Sequence, residues 1–419
     1  MKLKGQITVP GDKSISHRAL LISSVSKGTS LLEGLNRGLD CQETMNCLRM
    51  LGVGIKRKNQ LWEVKGRNFR LKPPGRALNC GDSATTLRLL AGLLAGQEFA
   101  SVLDGNRALR SRPMARIIGP LRLMGADLFG AEGSNLAPIS VRGGRLKGIT
   151  YELPMASAQV KSALLLAGIQ AEGKTTVLEP VASRNHTEKM LAFAGADITC
   201  LPGQITVQSG AVLGARHYRI PGDLSSAAFF MGAAAVLPGS ELIVKNVGLN
   251  PTRLGFIEAL EAMGAAVEIL TAEEIQGERR GDLRVRGGQL KAAAIKGELI
   301  PRLLDEIPLL AVLATQAEGI TVISDAQELR YKETDRLKAI RQELNKLGAD
   351  IEEMPAGLVI KGPSALTAGR LDSHGDHRIA LALEIASFVS AGPLQIKGSG
   401  LADISFPGFQ KIKKQLLTG

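Results

Sequence analysis

One phrase recurs along this chain and constrains its fold more than any other feature. A helix-like run closes on Leu, Met or Ala followed by Gly and a small or apolar residue, and a new strand begins. It stands at Met50-Leu51-Gly52-Val53, Leu123-Met124-Gly125-Ala126-Asp127, Phe193-Ala194-Gly195-Ala196-Asp197, Met263-Gly264-Ala265 and Lys346-Leu347-Gly348-Ala349-Asp350. Leu416-Leu417-Thr418-Gly419 fits as a sixth, degenerate copy. The interval is roughly 70 residues with one longer gap, and self-similarity at a fixed period means a fold assembled from repeated units. The glycine suits a helix C-cap, where the left-handed backbone costs it little.

Each unit also carries an earlier helix that begins polar and turns apolar. The six starts are Gly11-Asp12-Lys13-Ser14, Gly81-Asp82-Ser83-Ala84-Thr85, Ala156-Ser157-Ala158-Gln159, Gly222-Asp223-Leu224-Ser225-Ser226, Leu304-Asp305-Glu306 and Gly375-Asp376-His377-Arg378. Ser, Thr and Asp are good N-caps, and the runs that follow, such as Leu87 to Leu94 and Leu309 to Ala314, are apolar enough to be buried. Short strands such as Thr175-Thr176-Val177-Leu178 and Ile320-Thr321-Val322-Ile323 lie between helices, so the unit reads strand, helix, strand, helix, strands. Ile7-Thr8-Val9-Pro10-Gly11-Asp12 returns as Tyr218-Arg219-Ile220-Pro221-Gly222-Asp223, which divides the chain into three units plus three. Most repeated residues build scaffold. The polar helix starts are the exception, because free N–H groups and the helix dipole attract anions.

Composition sets the frame. At 419 residues the chain exceeds one ordinary core, and two domains are expected. Only 3% of residues are aromatic, so the cores must be built from Leu, Ile, Val and Ala. A net charge of +12 suits either nucleic acid or polyanionic small molecules. The cations form no tail or block and there are few rings for bases to stack on, so anionic metabolites are favoured and no nucleic-acid partner is expected. The four cysteines show no metal-ligand spacing and read as free thiols of a reducing cytosol. The start of the chain lacks a signal-peptide pattern, and the longest apolar runs fall short of a membrane span. The expectation is a cytoplasmic protein without a membrane partner.

Three clusters pack cations beside titratable groups: Pro10 to Arg18, Tyr331-Lys332-Glu333-Thr334-Asp335-Arg336, and Gly375-Asp376-His377-Arg378. Such a mixture binds negative charge and moves protons. Lys13-Ser14 is not a P-loop, since the upstream glycine of that pattern is absent. Lys332, Glu333, Asp335 and Arg336 taken alone also fit pairing on a solvated helix face. His374 and His377 lack a third ligand nearby, so no metal is expected.

Taken together, Pro10 to Arg18, Asp82 to Arg88, Asn106 to Pro113, Ser157 to Lys161, Ser183 to Lys189, Asp305-Glu306, Lys332 to Arg336 and Asp376 to Arg378 resemble the 5-enolpyruvylshikimate-3-phosphate synthase family over essentially the full length. The resemblance implies an α/β (α+β) fold, a two-domain inverse α/β barrel with three βαβαββ units per domain about a pseudo-threefold axis. It implies one domain of residues 1–12 plus 225–419, a second of 13–224, and an active site in the cleft between them. The implied reaction moves the enolpyruvyl group of phosphoenolpyruvate to the 5-hydroxyl of shikimate 3-phosphate and releases phosphate, with no cofactor and no metal, in a protein expected to be a monomer.

Carried over residue by residue, the resemblance assigns Lys13, Ala84, Arg112, Gln159, Arg336 and Arg378 to phosphoenolpyruvate, with Lys332 nearby. It assigns Lys13, Ser14, Arg18, Ser157, Ala158, Gln159, Ser183, Asp305 and Lys332 to shikimate 3-phosphate. Asp305 would take the proton of the attacking hydroxyl, Lys332 or Glu333 would protonate the methylene carbon, and His377 would support the leaving group or the acid network.

Several positions depart from the best-known members. Asp82 and Ala84 replace an Asn and a Gly, and the Ala84 methyl beside the phosphoenolpyruvate pocket suggests a glyphosate-tolerant, class II-like member, as do Lys161 and Glu328. His186 replaces a Tyr near the shikimate ring, and Ile404-Ser405-Phe406-Pro407 lacks an expected Lys. Two rivals remain. One is a UDP-N-acetylglucosamine enolpyruvyl transferase, whose usual loop Cys is absent between Asp104 and Pro113. The other is an RNA-end-processing protein of similar repeat fold, disfavoured by the scarce aromatics.

Overall fold

In the computed structural model, which describes residues 1–418, the two leading strands are exchanged between the halves of the chain. Lys4–Thr8 runs in sequence toward the helix at Lys13, yet it pairs in parallel with Glu241–Gly248. His217–Arg219, leading toward Leu224, pairs in parallel with Thr29–Glu33. The chain thus forms two compact units. One comprises Met1–Pro10, Pro221–Glu274 and Arg279–Gly419, and the other Gly11–Ile220 with the hairpin tip Ile275–Glu278. The boundaries implied by the resemblance lie near residues 12 and 224, without this four-residue excursion.

The unit centred on Gly11–Ile220 contains three separate four-stranded sheets of one design. A leading strand lies parallel to the second, and the second pairs antiparallel with the inner arm of a hairpin. Their second strands are Thr29–Glu33, Ala100–Asp104 and Lys174–Leu178. Three helices fill the interior: α1 (Lys13–Val25), α2 (Ala84–Ala95) and α3 (Ala158–Gly168). They start where they do because Asp12, Ser83 and Ser157 accept from the N–H groups of Ile15, Thr86 and Val160, supplying partners the first helical turn lacks. Glycine is required at two close approaches. A Cβ at Gly92 of α2 would lie 2.2 Å from the Ala163 carbonyl oxygen of α3, and one at Gly11 would lie 1.7 Å from the Gly34 oxygen.

The other unit repeats the design with α4 (Leu224–Val236), α5 (Ile307–Ala314) and α6 (His377–Ala386). Two of its sheets have the same four-stranded order, while the last holds only Gly369–Asp372 and Leu394–Lys397. The shortened sixth repeat ends in the helix Phe409–Thr418, and Gly419 of its recurring phrase lies outside the described residues. Each unit has its own apolar cluster. Every residue of α4, α5 and α6 is buried, whereas strands such as Lys174–Leu178 alternate between buried and less buried positions. Helices inside and sheets outside give the inverse α/β arrangement, with the sheets separate rather than closed into one barrel.

Candidate functional site

Cations, acids and hydroxyls stand at or near helix starts in both units. In the unit of α4, α5 and α6, the first residue of the helix Arg336–Asn345 is Arg336, with 2% of its side chain exposed. Its guanidinium is forked by three carboxylates. Nε donates to Asp376 Oδ2 at 2.7 Å, Nη2 to Glu333 Oε2 at 2.6 Å and Nη1 to Asp305 Oδ1 at 3.3 Å. Burial works against its charge, but Asp376, Glu333 and Asp305 outweigh it and raise its pKa above the ordinary arginine value. Asp376 also caps α6 by accepting from the Arg378 N–H at 2.7 Å. Arg378 is buried with its guanidinium 5.9 Å from the centre of the Phe229 ring, and His377 beside it is buried too.

Asp305 lies in the 3-10 turn Leu304–Glu306 that leads into α5 and keeps 21% of its side chain exposed. Lys332 precedes the helix instead of lying on it, so the solvated-helix-face reading of 332–336 does not hold. Burial lowers the Lys332 amine below the usual lysine value, with Asp305 the first carboxylate opposing it. Beneath Asp305, Glu306 accepts from the Ser225 hydroxyl, Ser225 accepts from Arg253, and Arg253 reaches the α4 cap Asp223 at 3.4 Å. All four are buried, and they tie the start of α5 to the start of α4.

In the other unit Lys13 pairs with Asp40 at 2.8 Å, and Ser14 is the next residue of α1. Arg18 is buried and donates through Nε to Thr187 (2.6 Å), Nη2 to Ser162 (2.7 Å) and Nη1 to the Ser14 carbonyl (3.0 Å). Three of its five N–H donors are therefore spent on positioning it. Burial lowers its pKa to about 10. Gln159, on the first turn of α3, has its amide orientation set: Arg88 donates to Oε1 at 2.6 Å and Nε2 donates to Thr85 at 2.9 Å. Ser157 accepts from the Val160 N–H as the α3 cap, which leaves its hydroxyl proton for another acceptor. Ala158 follows it as the first residue of α3.

Ala84 opens α2 and is 5% exposed, packed into the apolar cluster. Arg112 is buried at the end of its loop, whereas Arg110 makes an exposed paired contact with Asp104 at 2.6 and 2.9 Å. Ser183 is buried in the loop before the helix His186–Ala194, where Glu179 accepts from both its N–H and its hydroxyl. His186, at the start of that helix, shares 2.7 Å with Glu278 of the hairpin tip.

The structure thus gathers Asp305, Lys332, Glu333, Arg336, His377 and Arg378 in one unit. It gathers Lys13, Ser14, Arg18, Ala84, Arg112, Ser157, Ala158, Gln159 and Ser183 in the other. Sequence reading did not pick out Asp40, Arg88, Glu179, Asp376, Glu306 or Arg253 as supports. Asp376, Arg88 and Glu306 lay inside flagged segments, but Glu179 and Arg253 carried no local signal. Among the described residues no three His, Cys, Asp or Glu side chains are grouped to hold a metal ion, and no helix is long and apolar enough to cross a membrane.

Helix starts bearing Lys13, Arg336 and Arg378, with a cluster of acids beside the half-buried Lys332, are an arrangement suited to binding anions and moving protons. The profile of the EPSP synthase family (3-phosphoshikimate 1-carboxyvinyltransferase) matches residues 1–412. The 3-phosphoshikimate 1-carboxyvinyltransferase of Desulforudis audaxviator (strain MP104C) is 51% identical over 409 residues, covering 97% of this chain and 95% of that one. That of Alkaliphilus metalliredigens (strain QYMF) is 48% identical, covering 99% and 98%. The solved EPSP synthase of Acinetobacter baumannii superposes with a TM-score of 0.88 at 40% identity, covering 99% and 96%. The enolpyruvyl transferase NikO of Streptomyces tendae shares the fold at 18% identity, with a TM-score of 0.77 and coverage of 100% and 95%. The chain belongs to the EPSP synthase family.

Proposed function

We infer that this chain transfers the enolpyruvyl group of phosphoenolpyruvate to the 5-hydroxyl of shikimate 3-phosphate, giving 5-enolpyruvylshikimate 3-phosphate and phosphate. Family membership carries the reaction, and the Arg336 fork carries the assignment of roles. A guanidinium held by Asp376 through Nε presents Nη1 and Nη2 to a planar carboxylate, once Asp305 and Glu333 exchange it for substrate. Arg336 and Arg378 would then hold phosphoenolpyruvate with Lys13, Arg112 and Gln159. Ser14, Arg18, Ser157, Ala158 and Ser183 would hold shikimate 3-phosphate.

Asp305 would accept the 5-hydroxyl proton as that oxygen bonds to C2, while the methylene carbon gains a proton. Lys332 is the better donor for that carbon, because burial weakens its hold on the proton. Loss of a methyl proton from the tetrahedral intermediate expels phosphate and restores the alkene. His377 would support the departing phosphate.

The deciding experiment measures phosphate release from phosphoenolpyruvate with shikimate 3-phosphate or UDP-N-acetylglucosamine as acceptor. Release with the first alone is expected, and release only with the second would overturn the reading.

Three finer points belong to the same proposal. The enzyme acts in the cytoplasm, and it works as a monomer, tested by light scattering at assay concentrations. It also tolerates glyphosate, because the Ala84 methyl is packed at the first turn of α2 and cannot swing aside. Inhibition at glyphosate concentrations near the phosphoenolpyruvate KM would sink that idea, whereas sensitisation by Ala84→Gly would support it.

A further inference from the structure

Glu179 directly follows the strand Lys174–Leu178, and Ser183 stands four residues further on. Glu179 Oε1 accepts from the Ser183 main-chain N–H at 3.0 Å and also from its hydroxyl. Oε2 accepts from Lys161 Nζ at 2.7 Å. Lys161, 1% exposed on α3, also contacts Glu188 Oε1 at 2.7 Å and the Ser183 carbonyl at 3.4 Å. One lysine thus grips the 179–183 loop by a carboxylate and by a main-chain oxygen. Buried ion clusters of this kind add little net stability, since desolvation consumes the Coulombic gain. Their effect here is geometric, because both donors of Ser183 are fixed on one oxygen.

We infer that Glu179 is a positioning residue for the phosphate of shikimate 3-phosphate, acting through Ser183, with Lys161, shared with Glu188, offsetting part of the carboxylate charge that would otherwise repel that phosphate. The inference rests on the reading of Ser183 as a phosphate ligand. On binding, the hydroxyl proton turns from Glu179 to a phosphate oxygen by rotation about one bond. The main-chain N–H stays on Glu179 and keeps the loop in place.

Glu179→Ala is the informative variant, because Lys161 remains paired with Glu188 and no buried cation is left alone. Its melting temperature confirms folding. Glu179→Ala and Ser183→Ala should each raise the KM for shikimate 3-phosphate about tenfold, the loss of roughly one hydrogen bond to a charged group. The KM for phosphoenolpyruvate, and kcat at saturating shikimate 3-phosphate, should stay within about twofold by the same reasoning. The double variant should bind no worse than the worse single one, since both remove one arrangement. Glu179→Gln, which still accepts from the Ser183 N–H, should recover part of the loss. Additive effects in the double variant, or an unchanged KM in Glu179→Ala alone, would overturn the inference. An unchanged KM in Ser183→Ala would instead remove the ligand assignment beneath it.

Discussion

Arg336 Nε donates to Asp376 Oδ2 at 2.7 Å, and both side chains are buried, at 2% and 0% exposed. The same Asp376 caps α6 through its other oxygen. One carboxylate thereby aligns Arg336 with the helix that carries His377 and Arg378. Loss of the carboxylate should disturb both at once.

Asp376→Asn keeps a cap acceptor and removes the charge. It should lower kcat/KM for phosphoenolpyruvate about a hundredfold, because the fork loses its fixed arm. Asp376→Ala also leaves a buried guanidinium short of its main partner and should cost about 3–5 kcal/mol of stability. Steady-state kinetics and urea unfolding separate the two effects.

Lys332, if it is the acid, must be protonated to act. Burial lowers its pKa, so activity should fall on the alkaline side at a pH below that of an ordinary lysine. Lys332→Arg keeps the charge but gives up its proton far less readily. It should lose about 10²–10⁴-fold in kcat and shed that alkaline limb. A full pH–rate profile of both proteins is the check.

His17 is wholly buried on α1 with Nδ1 2.7 Å from the Thr44 hydroxyl, and burial pushes its pKa down to about 3 from 6.5. The fold holds it neutral. Below pH 6.5 the unfolded chain takes up a proton that the folded chain refuses, so this stability is present above 6.5 and lost as pH falls toward 3. The loss approaches about 1.4 kcal/mol per pH unit. Urea midpoints at a series of acid pH values should fall accordingly, and less steeply in His17→Asn.

Phe230 of α4 stacks on Phe409 at 4.9 Å, and Phe406 meets both edge-on at 5.7 and 5.4 Å. Phe406 and Phe409 follow the two-stranded sheet of the sixth repeat in the chain. Phe409→Ala should cost about 3–5 kcal/mol by leaving a cavity, and Phe409→Leu less. Kinetic constants measured below the melting point should stay near those of the parent.

The architecture was largely legible in the chain, because helix caps and apolar periods are local and repeat. Asp12, Asp223 and Asp376 stood out as helix starts for that reason, and all three cap the expected helices. The site was legible only as residues matched to a family. Its supports were harder to see: Glu179 and Arg253 look like ordinary surface charges until folding buries them. The 275–278 tip carried no signal either, since a hairpin end reads alike whichever unit it packs with.

Sequence by itself determined the six-fold repeat, the polar helix starts and the balance of cation over acid, since these depend on neighbours within a few residues. Only tertiary structure decided that Ile275–Glu278 belongs with Gly11–Ile220, that three carboxylates converge on Arg336, and that Glu179 and Lys161 hold Ser183. Those pairings join residues far apart in the chain. They exist because buried charges must find partners wherever packing brings them.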